Sequence, residues 1–135
     1  MKLLYILILL SSTICSAQNA DYKVVFDMTS KDTVNQQAVV RQVQGIKKAN
    51  PGAQLEVVVY GEGMELVLKD RSRQVSSIES LISGGQASFK ICRMTMKRHG
   101  IEPSQLINGV VVVDDGIYEI IKKQKAGWGY IKVGH

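Results

Sequence analysis

Cys92 is the residue of this chain whose type and position suit covalent chemistry. It lies in Ala87–Ile101, ASFKICRMTMKRHGI. That stretch reads as a short buried strand over Ala87–Ile91, the cysteine at its end, and then a basic helical turn. In a parallel α/β sheet, ligands collect outside the carboxyl ends of the strands. The first amides of a following helix favour an anion there, and Arg93, Lys97 and Arg98 bring positive charge close in sequence. Such a setting favours the thiolate, the form that attacks sulfur or carries it as a persulfide.

Helical geometry sorts the neighbours. Thr95 and Met96 lie three and four residues on and share a face with Cys92; with Arg93 they are the candidates to line a pocket. Thr95 has two open uses, a hydrogen bond to backbone or a contact to substrate. His99 is seven residues on, about 10 Å away at 1.5 Å per residue. That is too far for a Cys–His dyad, and His99 suits the helix dipole at the carboxyl terminus.

The Cys-x-Met-x-Met pattern raises soft-metal binding, Cu(I) above all, but Met94 would point away from Cys92 and leave Met96 alone beside it. Zinc clusters, Gly-rich phosphate loops and Ser-His-Asp patterns are not evident. No cofactor and no metal are therefore expected. The competing reading makes Cys92 a small buried hydrophobe in a non-catalytic, oligomeric binding or assembly module.

The chain's start differs in kind. Lys2 precedes the apolar run Leu3–Leu10 and the polar Ser11-Ser12-Thr13, and Cys15-Ser16-Ala17 puts small residues where a signal peptidase reads. The pattern predicts a signal peptide over residues 1–17 and a single domain over 18–135. The apolar run is too short to cross a hydrocarbon core of about 30 Å, so no membrane span is expected after cleavage. Bulky Ile14 occupies a small-residue position of what would otherwise be a lipoprotein box.

Cleavage would export the protein, to the periplasm or beyond, into an oxidising compartment. It would also remove Cys15, one of two cysteines, leaving Cys92 without an intramolecular disulfide partner. Losing Lys2 takes the formal charge of +5 down by one, to +4. The cations are scattered and lack the aromatic interleaving that stacks bases, so no nucleic-acid partner is expected.

The elements that must position Cys92 follow in order. Asp21–Met28 reads as a first strand. Thr29-Ser30-Lys31-Asp32 offers helix caps, and Val39, Val43 and Ile46 mark one helical face that Asn50-Pro51-Gly52 ends. Gln54–Tyr60 is a second strand, followed by a short helix with Met64, Val67 and Leu68 on one side. Lys69–Arg73 is a solvated connection. Val75, Ile78 and Ile82 form the face of a helix over Gln74–Ser83, ended by Gly84-Gly85.

Beyond Cys92, Pro103 is expected to end the helix. Gly109–Val113 reads as a strand covered on both faces. Asp114 and Asp115 can cap a helix with Ile117, Ile120 and Ile121 on its apolar face, and Trp128–Val133 is a last short strand. Five strands separated by helices define an α/β fold with a mostly parallel sheet and helices on both faces.

The run Cys92-Arg-Met-Thr-Met-Lys-Arg-His-Gly-Ile resembles the DsrE/DsrF-like family of small sulfur-relay proteins. Val110–Val113, Asp115-Gly116 opening a helix, and Gln124-x-x-Gly127-Trp128-x-Tyr130-Ile131 support the resemblance, which spans about Asp21 to Val133. It implies a three-layer α/β/α domain with a five-stranded parallel sheet. It implies homo- or hetero-oligomers such as trimers and hexamers, and a persulfide held on the cysteine matching Cys92 and passed between sulfur donor and acceptor proteins. Arg93 and Thr95 are neighbours by position, with no family role carried over.

The best-studied relay subunits work in the cytoplasm, so the leader is a departure. Outside, a persulfide faces oxidation or mixed-disulfide formation. The expectation is an exported sulfur carrier, sulfurtransferase-type or thiol-redox protein acting through Cys92.

Overall fold

The computed structural model describes residues 22–134. The expected signal peptide lies outside the described residues. Among them, no helix is long and apolar enough to cross a membrane.

Five strands alternate with four α-helices: β1 Lys23–Met28, α1 Thr33–Ala49, β2 Gln54–Val59, α2 Val75–Ser83, β3 Ser88–Cys92, α3 Arg93–His99, β4 Val111–Val113, α4 Gly116–Lys125 and β5 Gly129–Val133. Two 3-10 segments, Gly61–Val67 and Pro103–Gln105, complete the set. All strand pairs are parallel and the order is β4-β3-β2-β1-β5.

That order decides which helix lies where. From β1 through β4 the chain steps in one direction across the sheet, and right-handed crossovers then place α1, α2 and α3 on one face. The return from β4 to β5 runs the other way, so α4 covers the opposite face. The two faces differ accordingly. On the first, Val39, Val40 and Val43 of α1, Ile78 and Leu81 of α2, and Met96 of α3 bury against Phe26, Val57, Phe89 and Ile91. On the second, the buried apolar set is Val25, Val58 and Ile120, with Tyr60 and Trp128 packed beside it.

Local signals largely fix the helix ends. The Asp32 carboxylate accepts from the Val34 amide and starts α1. Lys47 donates to the Pro51 and Ala53 carbonyls beyond its end. Helix α3 stops at His99, earlier than Pro103, because Gly100 takes a left-handed conformation with φ of 63°. Pro103 instead opens a 3-10 turn. Of the two candidate caps, Asp115 accepts from the Tyr118 amide, while Asp114 pairs with Arg93.

Two packing expectations are corrected. Gly109–Val113 yields only a three-residue strand at the sheet edge, and Val111 is exposed. A β-branched run reports strand preference, and its place in the strand order decides its burial. On α4, Ile117 and Ile121 are exposed while Gly116, Glu119 and Ile120 face inward. The reason is chemical: the sheet beneath presents Glu56 and Lys90, and the helix turns its own charges to meet them.

Lys90 donates to Glu119 at 2.8 Å and pairs with Glu56 at 3.0 Å. Lys123 also reaches Glu56, and Lys122 reaches Glu119. Burial pushes the Glu119 carboxyl up, but the Lys90 and Lys122 hydrogen bonds win and hold it at about 2. Burial likewise disfavours the Lys90 ammonium, and hydrogen bonds to Glu119 and Glu56 reverse that, leaving it raised.

Candidate functional site at the carboxyl end of the central strands

Side chains alternate along a strand, so Ser88, Lys90 and Cys92 of β3 project to the face covered by α4, while Phe89 and Ile91 enter the core on the other side. Cys92 is the last residue of β3, a free thiol, 7% exposed. Its direct cross-strand partner is Val113. On its other side, Val59 pairs with Ile91, so the register carried one residue further sets Tyr60 beside Cys92.

Above this row sits the first turn of α4. Gly116 packs so closely that a Cβ added to it would lie 3.1 Å from Cys92 Cβ, 3.4 Å from Val58 Cγ1 and 3.5 Å from Tyr60 Cβ. A side chain at Gly116 would therefore be tight for space, while the backbone makes no demand for glycine, since its φ lies outside the left-handed region.

Each expected neighbour of Cys92 has a definite place. Cys92 occupies the N-cap position of α3 with extended backbone, but its side chain makes no capping hydrogen bond. The pleat of β3 turns it toward α4. Arg93 extends to Asp114, Nε to Oδ1 at 2.9 Å, and is half exposed. Thr95 is buried and its hydroxyl accepts from the Gly61 amide at 2.9 Å, the backbone use of the two left open for it, and so ties α3 to the turn after β2.

Met96 is buried in the core on the face opposite Cys92. The helical stripe from 92 to 96 therefore does not form, because Cys92 still follows the strand. Met94 is exposed, so Cys92, Met94 and Met96 do not converge as soft-metal ligands. Lys97, Arg98 and His99 are exposed in the last turn of α3, at the end remote from Cys92.

The structure adds a group that motif reading missed. Asp27 of β1 is buried, 4% exposed, on the α4 face. Tyr130 of β5 donates its phenol to Asp27 Oδ2 at 2.5 Å. Lys132 Nζ reaches Asp27 Oδ1 at 3.3 Å and Thr29 Oγ1 at 2.7 Å. Burial, then the Asp27 carboxylate, pushes the Tyr60 phenol upward, with smaller contributions from Tyr130 and Cys92. Tyr130 is pushed up to about 12, chiefly by its hydrogen bond to Asp27.

The Asp27 carboxylate and the Tyr60 phenol thus influence each other near the carboxyl ends of β1 and β2, on the sheet face to which Cys92 also projects. The one signal in the sequence was an aspartate inside the apolar strand VVFDM. Among the described residues, no group of three or more His, Cys, Asp or Glu is arranged to hold a metal ion.

A three-layer α/β/α domain with one cysteine at the carboxyl edge of an all-parallel sheet is the class that these features define. The chain belongs to the DsrE/DsrF-like family, whose model matches residues 9–133. Its structure is similar to that of MTH1491, a protein of unknown function from Methanobacterium thermoautotrophicum. That match has a TM-score of 0.77 and 28% identity, over 83% of this chain and 99% of the other. The ychN protein of E. coli matches with a TM-score of 0.69 and 12% identity, over 84% and 99% of the two chains. BT1422 of Bacteroides thetaiotaomicron, a conserved protein of unknown function, matches with a TM-score of 0.66 and 20% identity over 83% and 95%. No curated protein matches. The family points to sulfur relay or a related function.

Proposed function

We propose that this protein is an exported sulfur handler that accepts sulfane sulfur on Cys92, as a carrier or transferase or in thiol redox exchange, without a cofactor. The observation that carries this reading is the placement of the thiol at the carboxyl end of β3, an inner strand of the parallel sheet, in a DsrE/DsrF-like domain. Export rests on the leader pattern from Lys2 to Ala17, and the amino-terminal sequence of the protein recovered from its host tests it: a start at Gln18 is expected.

Association into a homo-oligomer rests on the outward residues Ile117, Tyr118 and Ile121 of α4, with Val111 at the adjacent edge. Light scattering of the purified domain tests it, and a monomer at all concentrations ends that part of the reading. A sulfur donor or acceptor protein is the expected hetero-partner.

The decisive experiment is intact mass after exposure of wild type and Cys92→Ser to polysulfide. Sulfur gain in wild type and none in the variant is expected; equal gain in both removes Cys92 from the function. A second reading, a binding or assembly module with an inert cysteine, draws on the low exposure of Cys92. It requires that thiol reagents leave the native protein untouched and label it only after denaturation.

A further inference from the structure

We propose that Glu56 and Trp128 form a binding site for a small primary alkylammonium ligand at the amino-terminal edge of the sheet, and that the protein's own Lys123 fills the site when the ligand is absent. The site lies at the opposite end of the strands from Cys92 and is independent of how that residue is read.

Strand register and the end of α4 build it. Glu56 of β2 pairs with Ser88 of β3. Val57 and Phe89 enter the core on the other face, so Glu56 and Ser88 project toward α4. Trp128 follows the turn that ends α4. Its amide donates to the Lys123 carbonyl at 3.0 Å, and Gly127 supplies the left-handed step with φ of 85°. The indole is therefore placed by the backbone. The Lys123 side chain folds between the two groups, with Nζ 3.0 Å from Glu56 Oε2 and 4.2 Å from the centroid of the Trp128 ring. A cation over an indole face is held by the ring quadrupole, and here a carboxylate holds it as well.

Two observations point past Lys123 to a ligand. Glu56 is 2% exposed, and Ser88, Lys90 and Lys123 all meet it at Oε2. Its Oε1 is buried with no hydrogen-bond partner, a penalty that one further donor removes. Beside it a cleft of about 400 Å³ opens, and Glu56, Ser88, Lys123 and Trp128 all line it. That is the size of a small-molecule site. The acidic group, the aromatic group and the lysine to be displaced thus belong to one cleft.

The features of the site select the ligand. Lys123 is tethered to α4 and reaches one oxygen of Glu56. A free primary ammonium carries three donors and no tether, so it can lie over the indole and serve both oxygens. A quaternary ammonium has no N–H to offer Oε1. Ala53, Leu55 and Ala87 give the cleft an apolar wall for an alkyl chain. The Lys123 side chain, already 21% exposed, moves out to water.

Trp128 is the sole tryptophan of the chain, so its fluorescence reads the site directly. The test titrates the folded protein with n-butylammonium, with tetramethylammonium, with neutral n-butanol, and with sodium chloride at the same ionic strength. A saturable change with n-butylammonium alone is expected. The same response to n-butanol or sodium chloride overturns the proposal, and equal affinity for tetramethylammonium overturns the role of Oε1.

Lys123→Ala should bind n-butylammonium at least about tenfold more tightly than wild type, as for a site that its own plug leaves open in about one molecule in ten or fewer. Glu56→Gln should weaken binding by at least about tenfold, and undiminished binding there overturns the role of the carboxylate. No saturation in Lys123→Ala overturns the site. Saturation in Lys123→Ala with none in wild type makes Lys123 a permanent part of the fold and overturns the ligand. If Lys123→Ala does not fold, the wild-type titration decides.

Discussion

Lys90 stands between Glu56 and Glu119, 3.0 Å from one carboxylate and 2.8 Å from the other, and so fastens α4 to the middle of the sheet. Removing the ammonium leaves two buried carboxylates with one lysine each, and Glu56 Oε1 already has no partner. Lys90→Ala should lower stability by about 2–3 kcal/mol, read from the denaturant midpoint at unchanged slope. A loss within experimental error would mean that Lys122 and Lys123 suffice.

The same network sets an acid limit. The folded-state pKa of Glu119 is depressed to about 2 from an ordinary 4.5. The unfolded chain therefore binds a proton there before the folded one does. Stability from this group is complete above pH 4.5 and drains away as pH falls toward 2. A titration of unfolding free energy should show that loss, and Glu119→Gln should shrink it while lowering stability at neutral pH.

At the other end of the scale the sign reverses. Tyr130, at about 12, and Tyr60, also raised, keep their protons in the folded state when the unfolded chain begins to lose them near pH 10. Stability should fall as pH rises from about 10 to 12. Tyr130→Phe should cost about 1 kcal/mol at neutral pH through the lost bond to Asp27 and should flatten the alkaline slope. Lys90, shifted upward too, loses its pairing in the same region, so the slope is reduced and not abolished.

Thr95 and Gly61 give a more local test. Thr95→Val keeps the shape and leaves the Gly61 amide without its acceptor, at a cost of about 1–2 kcal/mol. Thr95→Ser should restore most of it. Rescue by serine in thermal unfolding would establish the hydroxyl as the tie between α3 and the turn after β2; a Thr95→Val variant as stable as wild type would remove that role.

Arg93 separates stability from chemistry. Its pair with Asp114 is exposed on both sides and worth about 0–1 kcal/mol. Arg93→Ala should therefore unfold like wild type. If Cys92 accepts sulfur, loading by anionic polysulfide should slow and depend less on salt, since Arg93 places a half-exposed cation next to Cys92 in the chain.

The strand–helix alternation was legible because turn residues and periodic apolar positions are local signals, as at Asn50-Pro51-Gly52 and Val39/Val43. Cys92 at the end of β3 was legible for the same reason. Burial on the α4 side was not. Ile117 and Ile121 look like a core face at helical spacing, yet Glu119 is the residue buried there, because its partner Lys90 lies 29 positions away. Asp27 and Tyr130 are 103 positions apart and meet only because β5 returns to pair with β1. Thr95 and Met96 were placed beside Cys92 by helical geometry, which fails at a residue that still obeys the pleat of a strand. Tyr60 and Gly116 carry no motif of their own beside Cys92; register and a crossover bring them there.

The strand order has a consequence for the order of synthesis. Strand β1 is among the first parts of the domain to leave the ribosome, yet its outer edge stays bare until Gly129–Val133 has also emerged. Through that interval a row of unpaired amides and carbonyls is open to any passing strand, and Asp27 waits beside it without Tyr130 or Lys132. The nascent chain thus carries its most adhesive edge early and sheathes it late. A holding chaperone, or threading through a translocation channel, would have to shield that edge until β5 is free to dock.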